Sequence, residues 1–439
     1  MQVWIRRCAL LLLPLGFLAV MVAAPLLSLA FYDGEGAWAE VVADDYMRLR
    51  LGWTVAQAVL TCVLVTALGV PAAWVLARMD FAGRRTVLRL LMLPFVMPTL
   101  VAGMGVLALF GAHGILAAGW QDTPWLLIYG NVFFNLPVLV RSAYQGFVRV
   151  PQARLLSAQS LGADAWRRFV WVEWPVVRAW VAGGACLVFL YCFSGFGLAL
   201  LLGGERFATV EVEIYRLVAY ELDMARASVL VWLVLAATAA AGGLYAYWSK
   251  RVAVDKSVSP LPPRAPVRAW EKWLTATVLA MLVLCCLLPL AAVWLKAAAA
   301  GSSWAVLLEA QTWAAAWNTI RFSAAAVAAA TVLGVLYAAA ARTMGANGFQ
   351  TACYVTAPLL KPALRRGLTL ASATCIGEFA ATLFLSRPEW QTLTTLIYDY
   401  LGRAGADNYG RAMVLTAVLT ALALAAFLLV DEAEGQKAV

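Results

Sequence analysis

Residues 53–77, WTVAQAVLTCVLVTALGVPAAWVLA, contain no charged side chain. Because a helix of about 20 apolar residues crosses the roughly 30 Å hydrocarbon core of a bilayer, this run is long enough to span a membrane. Similar runs recur along the 439-residue chain, which is 64% hydrophobic and only 13% charged. This composition excludes an ordinary soluble domain, and runs of this length exclude a barrel of roughly ten-residue strands. The sequence therefore predicts an all-α integral membrane protein.

Ten apolar segments approach membrane length, and each is predicted to form a transmembrane helix. Six precede a basic, proline-rich stretch and four follow it. This order predicts a first half over residues 1–248, a cytoplasmic linker over 249–273 and a reduced second half over 274–439. The predicted spans cover residues 8–31, 53–77, 87–110, 126–148, 180–202, 227–248, 274–295, 319–341, 367–385 and 412–430.

The formal net charge of +9 comes from basic residues in short clusters between the apolar runs, which argues against a nucleic-acid-binding face. An N-terminus inside the cell places these clusters in cytoplasmic loops, as the positive-inside rule requires. We therefore expect a multi-pass protein of a bacterial cytoplasmic (inner) membrane with both termini in the cytoplasm. The basic loop residues include Arg78, Arg84, Arg85, Arg149, Arg154, Arg167, Arg168, Arg178, Arg342, Lys361, Arg365 and Arg366.

The chain offers no set of residues suited to catalysis or metal binding. Its eight cysteines lie mostly in apolar segments without a Cys-x-x-Cys spacing, and it contains a single histidine, His113. It has no Walker A sequence, so any nucleotide must be bound by a partner. We expect no enzymatic activity, no cofactor and no metal. The alternative, a membrane enzyme or a secondary transporter, would require clustered acids or a histidine site at membrane depth.

The second half repeats part of the first in the same direction. An upstream pair of segments, 68–70 and 333–335, stands 265 positions apart, whereas the later pairs stand 183 apart, so the second half is 82 residues shorter. The missing part corresponds to the spans 87–110 and 126–148, which predicts parallel repeats of six and four helices with unequal roles. Either a genuine reduction or a defective sequence would produce this pattern. The later pairs are residues 160–163 with 343–346, Pro175 with Pro358, Phe196 with Phe379, Thr209 with Thr392, and residues 214–215 with 397–398.

The loop at about residues 150–178 carries the first copy of a repeated motif. Ala158 and Gly162 are small enough for close backbone approach and a sharp turn, and Trp166 can fill an apolar cleft on a partner. Pro175 is expected to end the segment where the next span begins. A generic amphipathic loop is the alternative, but the same glycine-to-proline spacing recurs in a second segment at about residues 339–366.

This motif resembles the Glu-Ala-Ala loop of ABC importer permeases, although Leu156 and Ser157 replace the Glu and the first Ala, and Ala339 replaces the Glu of the second copy. In that family the loop forms a short coupling helix that docks into the ATPase. The resemblance implies that the chain lies in the lipid membrane and has two protein partners. These are a cytoplasmic ABC ATPase homodimer and a periplasmic solute-binding protein. It assigns coupling to Ala158, Ser160, Leu161, Gly162, Ala163, Trp166 and Pro175, and to Ala340, Ala341, Gly345, Ala346 and Pro358.

Further stretches narrow the resemblance to fused permeases for thiamine, with ferric iron permeases next. They are residues 131–137 (NVFFNLP), 172–175 (VEWP), 202–204 (LGG), 209–211 (TVE) and 214–215 (IY). The implied function is the passage of a small solute, with thiamine favoured over ferric iron.

Gate candidates follow from the repeat and from the resemblance. Glu378 lies in an apolar span, where a carboxylate is costly, and its repeat partner is Gly195. It could act in gating or passage of the solute, or it could form structural hydrogen bonds near a helix end. Phe193 and Phe196 follow the coupling loop in a helix that resembles the gate-forming helix of the family, and Phe379 is the repeat partner of Phe196.

Overall fold

The computed structural model describes residues 12–31, 36–91, 93–116, 120, 123–250, 261–341, 371–372 and 374–435. These residues form helices joined by turns, and an isolated bridge between Met79 and Arg264 is the only strand-like pairing among them. Seven of the described helices are long and apolar enough to cross a membrane. The prediction of an all-α membrane protein is confirmed.

Further helices lie between the seven spanning ones. The spanning helices are α1 (Leu12–Leu29), α3 (Asp45–Arg78), α7 (Pro124–Val148), α9 (Ala165–Phe193), α12 (Met224–Lys250), α13 (Ala269–Ala298) and α17 (Ala406–Gly435), the last apolar over Ala406–Ala425. The others are α2 (Ala37–Ala43), α4 (Arg84–Leu90), α5 (Leu93–Val96), α6 (Thr99–Phe110), α8 (Gln152–Ser160), α10 (Phe196–Leu202), α11 (Val210–Arg216), α14 (Ala310–Ala341), α15 (Ala380–Leu385) and α16 (Leu393–Gly402).

Three predicted spans are not continuous helices. Segment 87–110 divides into α4, α5 and α6, with Pro98 in an extended conformation before α6. Segment 180–202 breaks between α9 and α10, and the described part of segment 367–385 breaks at residues 377–379. Two of the breaks pack together, since a Cβ atom on Gly377 would lie 2.8 Å from the Pro98 Cβ atom. The prediction of continuous spans is therefore wrong here, because glycine and proline let the chain bend where segments meet.

Three spanning helices contain a wider π turn two residues before a proline. The turns are Ala19–Ala23 before Pro25, Phe169–Glu173 before Pro175, and Val283–Leu287 before Pro289. Proline has no N–H and its ring clashes with the carbonyl four residues earlier, and a π turn relieves that clash. Pro175 thus lies inside α9 and does not end the coupling segment, contrary to the prediction.

The described helices build two adjoining cores. In the first, α3 packs against α7 and α9, and in the second α6 and α10 pack with α13, α16 and α17. One end of the bundle, here called the basic end, holds Arg78, Arg84, Arg149 and Arg167. The opposite end, here called the acidic end, holds Glu40, Glu205, Glu213, Asp223 and Asp407.

Candidate functional site: the coupling hairpin and the aromatic cluster

A helical hairpin forms at the basic end from the residues of the predicted coupling loop. Helix α8 ends in a turn where Gly162 has a φ of 78°, a left-handed conformation that glycine adopts without strain. The Gly162 N–H donates to the Gln159 carbonyl at 3.0 Å, and the Ala163 N–H donates to the Ala158 carbonyl at 3.0 Å. Asp164 then starts α9, because its Oδ1 atom accepts a hydrogen bond of 2.7 Å from the Arg167 N–H.

The tip of this hairpin presents large apolar side chains to its surroundings. Leu161 is 88% exposed and Trp166 is 70% exposed, while Leu156 on α8 is 46% exposed. We call these three residues the coupling ridge. Ser160 is also exposed and donates to the Leu156 carbonyl, whereas Leu155 points into the core. An apolar ridge on a polar, basic surface is typical of a docking site for another protein.

The hairpin is anchored to the bundle by a buried ion pair that sequence reasoning missed. Arg78 Nε donates to Glu173 Oε1 at 2.8 Å, and both side chains are almost fully buried. Trp74 Nε1 donates to the other Glu173 oxygen at 2.9 Å, and the Arg78 guanidinium also reaches the Phe147 carbonyl. Helices α3, α7 and α9 are thereby joined at one point. A glutamate inside an apolar stretch, five residues after the basic pair Arg167 and Arg168, was the available signal.

The second coupling segment falls mostly on residues that the structure does not describe. Gly345, Ala346 and Pro358 lie outside the described residues. Ala340 and Ala341 belong to the last turn of α14, but their side chains are also outside the described set. Coupling by this segment stays a prediction.

An aromatic cluster forms where the two repeats meet, near the acidic end. Phe196 and Tyr215 pack with ring centroids 5.5 Å apart, and their repeat partners Phe379 and Tyr398 pack 5.4 Å apart. Phe196 and Phe379 approach each other to 6.1 Å. Phe384 lies 5.0 Å from Tyr215 and 5.7 Å from Phe196. These five rings, here called the aromatic cluster, join the halves.

The remaining gate candidates lie in different surroundings. Phe193 stacks on Phe189 at 5.5 Å in the core around α3, so it is separate from the aromatic cluster. Gly195 lies in the break between α9 and α10, and a Cβ atom there would lie 2.7 Å from the Tyr191 carbonyl oxygen. The Glu378 carboxylate is exposed and accepts a hydrogen bond of 2.9 Å from the Ala381 N–H at the start of α15. That contact matches the structural alternative for Glu378, and its role in gating stays a prediction.

Glu211 is a second residue that sequence reasoning missed. It lies on α11, one helical turn before Tyr215, so the two residues share a face of that helix. Burial raises the pKa of Glu211 to about 7. Its neighbour Glu213 hydrogen-bonds Tyr46 and pairs with Arg216, but Glu211 has no hydrogen bond or ion pair with any described residue. The sequence gives no signal for this site, since nothing local to the chain indicates that Glu211 is half-buried.

The described residues contain no group of three or more histidine, cysteine or acidic side chains that could hold a metal ion. What the site offers is a docking surface, a continuous helix behind it and a ring cluster between the two repeats. Such an arrangement suits the transmission of movement.

Comparison with known proteins gives a family match over the part of the chain that contains the hairpin. Residues 66–254 match the family described as binding-protein-dependent transport system inner membrane component. The chain is 31% identical over 331 residues to a thiamine transport system permease protein of Salmonella typhimurium, covering 73% of this chain and 60% of that protein. The Escherichia coli K12 protein of the same description is 30% identical over 342 residues, covering 75% of this chain and 64% of the relative.

A Brucella abortus protein of this description is 35% identical over 239 residues, which is 52% of this chain and 44% of the relative. The match thus spans less than two thirds of the length of each of these relatives.

Proposed function

We propose that the chain is the permease subunit of an ABC importer for thiamine, because residues 66–254 match the family described as binding-protein-dependent transport system inner membrane component. A cytoplasmic ATPase dimer supplies the energy, and a periplasmic solute-binding protein delivers the solute. The thiamine assignment is supported by the names of the relatives, which are thiamine transport permeases. The chain itself performs no covalent chemistry.

The exposed coupling ridge is the observation that carries this proposal. Leu161 and Trp166 stand out from a hairpin that is fixed internally by the Gly162 turn and the Asp164 cap. Their apolar surface gains stability when a partner covers it. An ATPase surface with a matching apolar groove is the partner that the family match over residues 66–254 favours.

Movement at the ridge can reach the aromatic cluster through α9 and the break that leads into α10. Helix α9 runs from Ala165 in the hairpin to Phe193, and 29 helical residues extend about 43 Å. The Arg78 to Glu173 pair ties its first turns to α3 and α7, so the three helices move together. Closure of the ATPase dimer would tilt α9 and shift Phe196, which begins the next helix. The rings of the two repeats would then separate and open a path.

The orientation proposed for this mechanism places the basic end in the cytoplasm. Arg149, Arg167 and Arg168 surround the coupling ridge at that end, in agreement with the positive-inside rule. Both termini then lie in the cytoplasm, and the acidic end faces the binding protein.

Uptake in a defined strain tests the proposal. A thiamine auxotroph without its own importer would express this chain with the ATPase and binding protein of the same system. We expect growth at nanomolar thiamine and ATP-dependent accumulation of radiolabelled thiamine. Accumulation of ferric iron without thiamine would move the substrate to the ferric iron class. Uptake that continues without the ATPase would overturn the importer mechanism.

A further inference from the structure

The aromatic cluster and Glu211 together have the composition of a site for an organic cation. Ring faces carry negative electrostatic potential and attract cations within about 6 Å of their centres. The cluster brings five rings together from both repeats, with neighbouring centroids 5.0 to 6.1 Å apart. Tyr220 adds a sixth ring, 5.8 Å from Tyr215, and is 71% exposed. The cluster is therefore buried at its base and reachable at its rim.

The carboxylates near this cluster differ in what they contact. Glu213 already has Tyr46 and Arg216 as partners, and Glu378 caps α15. Glu211 has no hydrogen bond or ion pair with the described residues, although burial raises its pKa to about 7. A half-buried carboxylate without a protein partner is partly desolvated, and a bound cation would offset the cost of that desolvation.

The two repeats contribute unequally to this charge. The repeat partner of Glu211 is Thr394, whose hydroxyl donates to the Glu378 carbonyl at 3.0 Å. Four of the rings, by contrast, are duplicated, since Phe196 and Tyr215 match Phe379 and Tyr398. A ring cluster with one unpaired carboxylate fits a flat solute that carries a single positive charge.

We propose that the aromatic cluster, with Glu211 as counter-ion, binds an aromatic cation with a fixed positive charge during passage. The ring of the solute stacks at the exposed rim of the cluster, against Tyr220 and Tyr215, while its charge lies toward Glu211 on the preceding turn of the same helix. The inference rests on the proposed function, because the thiazolium ring of thiamine is such a cation. It adds a selection step within the permease that is separate from recognition by the binding protein.

Direct binding tests this site without transport. The purified chain in lipid nanodiscs would be titrated with thiamine and with a neutral analogue in which thiophene replaces the thiazolium ring. We expect the wild-type chain to bind thiamine about tenfold or more tightly than the analogue. Glu211→Gln and Tyr215→Leu should each reduce that preference to twofold or less. Glu221→Gln, which changes an exposed acid shortly after α11, should retain it.

The outcomes separate this site from the proposed function. Binding of neither compound, equal binding of both, or an unchanged preference in Glu211→Gln would each overturn the cation site, whatever the uptake result. A clear preference without thiamine uptake in the complete system would leave the site standing and overturn the thiamine importer. Thermal stability of each variant shows whether a lost preference reflects unfolding.

Discussion

Thr54 and Thr319 form the same hydrogen bond in the two repeats. The Thr54 hydroxyl accepts from the Val210 N–H at 3.0 Å, and the Thr319 hydroxyl accepts from the Leu393 N–H at 2.9 Å. The acceptors are 265 positions apart and the donors 183, which are the two spacings seen in the sequence. Each bond ties the start of a short helix to a long one. The repeat is therefore present in the contacts as well as in the residue pattern.

These bonds predict a stability effect at both threonines. Thr54→Val keeps the side-chain shape but leaves the buried Val210 N–H without an acceptor, which costs about 1–3 kcal/mol. Thr319→Val should have a similar effect on α16. We expect a lower thermal midpoint for both valine variants in detergent, whereas Thr54→Ser, which keeps the hydroxyl, should stay close to wild type. Equal midpoints for Thr54→Val and Thr54→Ser would contradict this role.

The buried ion pair predicts a larger effect. Glu173→Gln removes the charge that Arg78 faces, and a buried pair broken on one side costs about 3–5 kcal/mol. The double variant Arg78→Met with Glu173→Leu removes both charges and should recover much of the loss. Asp399→Asn is the control, since the Asp399 to Arg403 pair is largely exposed and such pairs contribute little. A double variant no more stable than Glu173→Gln would show that the pair itself is favourable.

Much of this fold follows from local sequence patterns. Uncharged runs such as residues 53–77 predict long helices because a helix is the structure that satisfies its own backbone in lipid. The repeat predicts which residues pair across the halves, as Phe196 and Phe379 do. The breaks at Pro98 and Gly377 could not be predicted from composition, because the contact between them is distant in sequence.

The hairpin can be predicted from the sequence, whereas the positions of the two glutamates cannot. Gly162 and Trp166 of the hairpin follow from a motif, because the turn and the exposed ring are local features. Burial of Glu211 and Glu173 depends on helices far away in the chain, so the sequence alone placed neither residue in a site. The sequence predicts that the segment ends at Pro175, but a π turn lets the helix continue through this proline.

The Gly162 turn predicts a selective loss of coupling. Valine strongly disfavours the left-handed conformation at this position, so Gly162→Val should deform the hairpin tip without touching the membrane core. We expect the ATPase to be lost from the purified complex and thiamine uptake to stop, while the amount of permease in the membrane is unchanged. Gly242→Val is the matched control, since a Cβ atom there meets nothing within 4 Å. Retention of the ATPase by Gly162→Val would argue against docking through this hairpin.

Unequal burial of two equivalent helices predicts that the second repeat is the less stable one. In α10, five of seven residues are buried, because α6 and α7 cover it; a Cβ atom on Gly103 or Gly130 would touch Leu201 or Leu202. The equivalent helix α15 has no buried residue. The second repeat lacks the counterparts of α4 to α7. The helices that would cover α15 are therefore missing from the described part of the chain.

Restoring those helices should therefore stabilise the protein. The equivalent segment of a full-length relative would be inserted just before Thr343, where the spacing between repeats changes from 265 to 183. We expect the insertion to raise expression and the thermal midpoint, because packing replaces contacts that α15 and α14 otherwise make with lipid or with another chain. An insertion of the same length with its apolar positions shuffled controls for chain length alone. If the native chain equals the repaired one in expression, thermal midpoint and thiamine uptake, the shorter second half is sufficient and the exposed face of α15 carries no cost.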